Sequence, residues 1–270
     1  MPAYRGVLHV HSTLSDGVLT PEQVRDLAVS EGLDFVVLCE HAKFLPPGRF
    51  DEAVVECARL SNETFLLILG LEFEYQGRHV LLLGPPELLR EADAETVGGR
   101  PEELRARGGL TIWAHPACTY RWTLRRGLAA DYDGWEVWNS GFDGPLPSLP
   151  MLDLLRKRRR SGRRMLAFAG ADFHERIHAL TPITHADIDS LALAALIDGL
   201  REGRCRASGG TSGSLVLMPD GDLSTLSTRE RLYAWVRYCL IRGRCAGAWT
   251  KWVVVSRRGR SRGAGNPPAR

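Results

Sequence analysis

Short runs of Val, Ile, Leu and aromatic residues recur at Gly6 to Val10, Phe35 to Cys39, Phe65 to Leu71, His79 to Leu83, Leu110 to Ala114, Trp135 to Trp138 and Met165 to Ala169. Apolar runs of this length read as buried strands. Helical periodicity lies between several of them. From Pro21 to Glu31, Val24, Leu27 and Ala28 share a face, Thr20 stands at the N-cap with Gln23 three residues on, Pro21 takes the first helical position and Gly32 supplies the stop. From Asp189 to Glu202, Leu193, Leu196, Ile197 and Leu200 follow i, i+3, i+4, i+7 spacing, with Gly203 at the end. Met151 to Arg164 reads as a further helix, and its cationic run Arg156 to Arg160 either complements the dipole at a solvated helix end or contacts an anion. Strands alternating with helices predict an α/β fold built on a parallel sheet or barrel.

Past Gly210 the pattern changes. Thr211 to Ser227 is turn-rich, Arg229 to Ile241 has amphipathic helical spacing through Leu232, Trp235, Val236, Cys239 and Leu240, and the stretch from Gly259 is rich in Arg, Gly and Pro. The expected organisation is a main domain over residues 1–210 and an extension over 211–270. The basic end of that extension reads as a frayed terminus or as a nucleic-acid arm.

A length of 270 residues suits one large or two small domains, and 44% apolar with 25% charged residues excludes a disordered chain, collagen and a coiled coil. The 35 Lys+Arg against 32 Asp+Glu leave a formal charge of +3, too small to argue for nucleic acid by bulk electrostatics. Any partner must be read from local sites. Cys39, Cys57, Cys118, Cys205, Cys239 and Cys245 form no CxxC pair and read as free thiols in a reducing compartment. Apolar runs such as Phe65 to Leu71 fall far short of a membrane span, and Met1 to Gly6 has no charged and apolar leader, so a cytoplasmic location is expected.

The candidate chemistry sits at strand ends. His9, His11, His41, His79, His115 and His174 fall at or beside the ends of the predicted strands, and Asp16, Glu40, Glu72 and Asp172 occupy similar positions. In α/β architectures the C-terminal strand ends face the site, so these side chains converge although they are distant in sequence. Imidazole plus carboxylate without thiolate is a ligand set for Mn, Zn or Fe. Within it, His9 and His11 are alternate residues of an extended run, which directs both rings to one side.

These residues also carry a resemblance. His9-Val10-His11-Ser12 with Ser15-Asp16-Gly17, Glu40-His41, Gly70-Leu71-Glu72, His79, Ala114-His115-Pro116 and Asp172-Phe173-His174 are similar to the motifs of the PHP (polymerase and histidinol phosphatase) family, over residues 6 to about 210. Glu136-Val137-Trp138-Asn139 and Gly199-Leu200-Arg201-Glu202-Gly203-Arg204 further resemble its compact CehA/McbA branch. The resemblance implies a distorted seven-stranded (β/α) barrel of PHP type with a short C-terminal extension, and a site of two to three divalent ions. On that pattern His9, His11, Glu72 and Asp172 hold the first ion, Glu72 bridges to a second held by His79 and His115, and Asp16, His41 and His174 hold a third. Glu72, Asp172 and His174 are the catalytic residues it implies. Glu40 stands where the family usually has Asp and is expected to orient ligands from behind them.

Two close cations lower the pKa of a shared water and neutralise phosphoryl charge, so the implied activity is hydrolysis of a phosphate ester of a small metabolite or nucleotide. Lys43, Arg121 and Arg176 follow ligand positions and either bind the phosphate or are ordinary surface cations. Asn139 orients substrate or the groups behind the ligands, or caps a turn, and His178 is a general acid or a plain surface histidine. Because the same chemistry attacks a carbonyl, a carboxyl or carbamate ester hydrolase is the alternative. A nucleic-acid-associated module using the basic helix end and tail is a third reading.

Overall fold

The structure is a computed structural model in which residues 3–118, 128, 130–175, 180–210, 213 and 215–240 are described. Three of the apolar runs, β1 (Ala3–Val10), β2 (Phe35–His41) and β3 (Leu66–Tyr75), lie parallel, with Phe35 paired to Gly6 and to Leu66. The crossovers are α1 (Pro21–Ser30) and α2 (Pro47–Leu60). The α1 start follows the sequence expectation: Thr20 accepts from the Gln23 backbone while the Gln23 side chain accepts from the Thr20 backbone, a reciprocal cap in which the threonine side chain alone contributes about 1 kcal/mol.

After β3 the chain turns back through Gln76 and Gly77, both at positive φ, into β4 (Arg78–Leu83), antiparallel to β3. The short helices α3 (Pro86–Glu91), α4 (Ala94–Gly99) and α5 (Pro101–Ala106) lead to β5 (Leu110–Ala114), antiparallel to β4. Next, β6 (Gly134–Asn139) and β7 (Leu166–Gly170) run parallel to β5, with α6 (Ser140–Asp143) and α7 (Leu149–Arg160) between them. The barrel nearly closes where Ala171 N donates to Leu8 O at 2.9 Å and His11 N to Phe173 O at 2.9 Å, bringing the chain after β7 back to β1.

The strand count departs from expectation. The sheet holds ten strands, not seven: β8 (Ile183–Asp187) adds antiparallel to the free edge of β1, followed by β9 (Cys205–Gly209) and β10 (Leu215–Leu217). These added strands escape a search for apolar runs because they are short and alternate, as in β8, where only Thr184 and Ala186 are buried. The sheet is also mixed rather than wholly parallel. Consequently His79, near the start of β4, reaches the same rim as residues at the ends of β1, β2 and β3, because β4 runs the other way.

Inward side chains such as Leu8, Phe35, Val37, Ile68, Ile112 and Phe168 form one buried cluster, floored by Leu196, Ile197 and Leu200 of α8 (Leu193–Glu202). Outward ones such as Val7, Val36 and Leu38 pack with Val24 and Ala28 of α1 and with Phe50 and Ala53 of α2. The sheet continues into β10 beyond residue 210, and residues 228–240 are helical, with Ala234 buried and Leu232, Trp235 and Leu240 exposed. No described helix is long and apolar enough to cross a membrane. Among the described residues Cys39, Cys57, Cys205 and Cys239 are free thiols.

Candidate metal centre

The site lies at the rim where β1, β2, β5, β6 and β7 end. Simple alternation does not put His9 and His11 there. The β1–β2 register shifts between Val7 and Val10, and His9 adopts φ 61°, so the strand bulges: Leu8 stays in the inner cluster while Val10 joins the outer one. The bulge lets His9 join His11 at the site, their ring centroids 5.1 Å apart. His115 and Asp172 also sit at positive φ, 31° and 50°, just past the ends of β5 and β7. Among the described residues, three of the four non-glycine residues in this sparsely populated region are thus expected ligands, and backbone strain of this kind concentrates at functional sites.

Glu72 is the hub. Its Oε1 faces His9 Nε2 at 3.5 Å, His79 Nδ1 at 2.8 Å and His115 Nε2 at 3.3 Å; its Oε2 faces His11 Nε2 at 3.5 Å and His41 Nδ1 at 3.0 Å. Asp172 Oδ1 lies 3.5 Å from His9 Nε2 and 3.6 Å from His11 Nε2. Asp16 Oδ2 lies 3.3 Å from His41 Nε2, and its Oδ1 lies 3.4 Å from His174 Nε2. Three groups could each hold an ion: His9, His11 and Asp172; His9, Glu72 and His115; and His11, Asp16, His41 and His174. His79 belongs to none of these groups and reaches the cluster through Glu72.

The fit to metal is tested by the buried atoms. His9 Nε2 and His11 Nε2 are fully buried and have no hydrogen-bond partner, although two carboxylates lie about 3.5 Å from each. An orphaned buried nitrogen costs on the order of 1–3 kcal/mol. Two donors bound about 2.1 Å from one tetrahedral ion stand about 3.4 Å apart, which is the spacing found here. His9 Nδ1 lies 2.8 Å from Glu136 Oε1, and a carboxylate can only accept, so Nδ1 carries a proton and Nε2 is the atom that an ion would take in place of a second proton.

The electrostatics agree. Burial alone would lower the His9 pKa, but the carboxylates of Glu136, Asp172 and Glu72 outweigh it and hold it well above its ordinary value. The counterpart appears in Glu72 and Asp172, where burial pushes up but His9 and its neighbours draw both carboxyls well below the carboxylate range. His11, pushed down to about 4 by burial and by the adjacent His9 despite its contact with Asp172, stays neutral and ready to ligate. A site that would hold a proton this firmly offers the same field to a cation.

Around the ligands lies a supporting shell. Glu40, fully buried, accepts from Ser12 N at 2.9 Å and Ser12 Oγ at 2.5 Å, and also accepts from Ser15 Oγ, fixing the loop that carries Asp16. Burial pushes its carboxyl up to about 7, against those serine hydrogen bonds. In the same loop a Cβ on Gly17 would stand 2.3 Å from the His11 carbonyl oxygen, so only glycine fits. Asn139 is fully buried: Nδ2 donates to Glu136 Oε2 at 2.7 Å and Asp172 Oδ2 at 3.3 Å, and Oδ1 accepts from Phe142 N at 3.0 Å, capping α6. Of the readings open for Asn139, the cap and the orienting of neighbouring groups are what its amide does here, both on protein atoms. Lys43 lies beside His41, with Nζ 5.4 Å from the Phe44 ring centroid. Arg121, Arg176 and His178 lie outside the described residues.

The residue that sequence reasoning missed is Glu136. It is 2% exposed and accepts from the His9 ring, the His115 backbone N at 2.9 Å and Asn139 Nδ2, and so ties three parts of the rim together. A bulge between Glu136 and Trp138 turns both Glu136 and Asn139 inward. A Cβ on Gly170 would overlap the Glu136 carboxylate and stand 2.8 Å from His9 Cβ, so the small residue keeps that place open. An acid inside the apolar run Trp135 to Trp138 was the available signal, since a buried charge persists only with partners.

No family model matches the chain. Over 79 residues it is 34% identical to a 5'-3' exoribonuclease of Haemophilus influenzae, a match spanning 28% of this chain and 27% of that protein. Among solved structures, a two-domain protein from Bacteroides vulgatus ATCC 8482, described as containing a predicted PHP-like metal-dependent phosphoesterase, aligns with a TM-score of 0.56 and 21% identity, covering 77% of this chain and 65% of that one. PsfC from Pseudomonas syringae PB-5123 aligns with a TM-score of 0.52 and 13% identity over 90% of this chain and 99% of its own. These likenesses show a shared fold, a mixed α/β barrel like that of the PHP-like protein.

Proposed function

We propose that the chain is a metal-dependent phosphoesterase working at a site for two to three divalent ions, with His9, His11, Asp16, His41, Glu72, His79, His115, Asp172 and His174 as the ligand set. The observation that carries this reading is the pair of buried, unpartnered imidazole nitrogens of His9 and His11, each facing Glu72 and Asp172. Further support comes from the fold shared with the Bacteroides protein and from the local match to the exoribonuclease. The thiolate-free donor set suits Mn, Zn or Fe. When bound, such ions lower the pKa of a coordinated water toward about 7 and polarise phosphoryl oxygens.

The chain's own residues supply the rest. Glu72 and Asp172 remain ionised and present oxygens to the ligand groups on both sides. His9 is held in one tautomer by Glu136. Lys43, next to the half-buried His41, offers a cation to phosphate oxygens entering from that side. The substrate is a phosphorylated small molecule or a nucleotide.

The test is release of p-nitrophenol from its phosphate monoester and diester by Mn-reconstituted protein, beside a chelated sample and the Asp172→Ala variant. Turnover should need metal and fall in Asp172→Ala by on the order of 10³-fold, with loss of bound metal by elemental analysis. Folded, metal-loaded protein that releases nothing from either ester overturns the proposal and directs attention to carboxyl esters.

A further inference from the structure

Two partly exposed aromatic side chains border the histidine cluster, each with its ring against one of the histidines. Phe44, in the single helical turn after β2, is 39% exposed, and Phe142, in α6 after β6, is 37% exposed. Ring contacts connect one to the other in successive steps, Phe44 to His41 6.3 Å, His41 to His79 5.8 Å, His79 to His115 5.1 Å and His115 to Phe142 4.7 Å. Three expected ligands thus lie between two apolar faces. Topology places the faces on opposite sides, because β2 and β6 are separated by β3, β4 and β5 in the sheet and by β1 and β7 across the closure.

We propose that Phe44 and Phe142 are a specificity-determining pair, each stacking one of two planar groups that flank a scissile phosphodiester lying over the histidines between them. The inference rests on the phosphoesterase reading and narrows it to diesters with a planar aromatic or heteroaromatic group on each side of phosphorus. A monoester has one such group and leaves one ring unused. Ring stacking is indifferent to the identity of the planar group and contributes on the order of 1–3 kcal/mol per group. Lys43, whose Nζ lies over the Phe44 ring, gives that side a cation for a neighbouring anionic group. In the reaction water adds its oxygen to phosphorus, one phosphorus–oxygen ester bond breaks, and a water proton goes to the departing oxygen.

The experiment compares bis(p-nitrophenyl) phosphate with methyl p-nitrophenyl phosphate, which share a leaving group and differ in whether the second group is planar. After correction for their uncatalysed rates, the metal-loaded protein should prefer the first by on the order of 10-fold in kcat/KM. Either Phe44→Ala or Phe142→Ala should erase that preference, since each leaves one ring for two planar groups. Calorimetry of diphenyl against dimethyl phosphate gives a readout independent of turnover, with diphenyl phosphate expected to bind more tightly in a manner dependent on both rings. A preference unchanged in both variants overturns the proposal, as does hydrolysis of p-nitrophenyl phosphate without either diester, which leaves the phosphoesterase reading standing. If no phosphate ester is cleaved, that reading falls, and the diphenyl phosphate titration still decides the ring pair: ring-dependent binding retains it and equal binding removes it.

Discussion

The two ends of the barrel use charge in opposite ways. At the N-terminal ends of β5, β6 and β7, the Arg105 guanidinium pairs with Asp133 and Asp131, Asp133 also accepts from Thr111 N at 2.8 Å and Thr111 Oγ1 at 3.0 Å, and Arg201 donates to the Arg105 carbonyl at 3.2 Å. Each of these charges is answered by a partner, and the group encloses a cavity of only about 120 Å³. At the opposite rim, carboxylates and imidazoles crowd together, two buried nitrogens have no partner, and three of the expected ligands sit at strained φ. One end is arranged for stability. The other carries strained φ values and unpartnered buried nitrogens, features of the kind that concentrate at functional sites.

The contrast can be broken from either side. The largest expected effect is at Asp143, buried beneath the functional rim, whose carboxyl burial pushes up to about 7 although it accepts from Asn139 N at 2.9 Å. The unfolded carboxyl loses its proton near pH 4 and the folded one near 7, so the unfolded chain binds fewer protons in that window. Stability therefore falls as pH rises from 4 to 7, by up to about 4 kcal/mol. Asp143→Asn, which keeps an acceptor, should flatten this slope in urea titrations; an unchanged slope would show that Asp143 is not its source.

Next is Glu136→Gln, expected to weaken metal affinity by about 10- to 100-fold in chelator competition and, because a carboxamide cannot accept at both ends, to lower the thermal midpoint of the metal-free protein as well. A wild-type affinity in that variant would mean that His9 needs no orienting partner. At the stable end, Asp133→Ala removes a partner of Arg105 and Thr111 and should cost about 2 kcal/mol by chemical denaturation, with turnover per folded molecule retained. The neighbouring Asp131→Ala should cost less than about 0.5 kcal/mol, because that carboxylate is half exposed and its ion pair is screened. Equal costs at 133 and 131 would contradict the burial argument.

Much of this was legible in the residues. Strands β1 to β7 follow from runs of apolar side chains, since burial on both faces leaves an almost continuous apolar signal. The clustering of these histidines and acids was legible because such residues at strand ends have few structural uses in such numbers. Glu136 was harder to read, as its partners lie 127 and 21 residues away, at His9 and His115. β8 to β10 were hidden by a half-polar alternation that resembles loop sequence.

The sequence by itself determined the α/β alternation, the residue types of the site and the caps that start helices such as α1, because each depends on neighbours within a few residues. Only the tertiary structure decided the ten-stranded mixed sheet, the bulges that turn His9 and Asn139 inward, the positive φ at His9, His115 and Asp172, and the placing of Phe44 and Phe142 on opposite sides of the mouth. Those features arise when strands remote in sequence close on one another, and closure fixes geometry that no local pattern encodes.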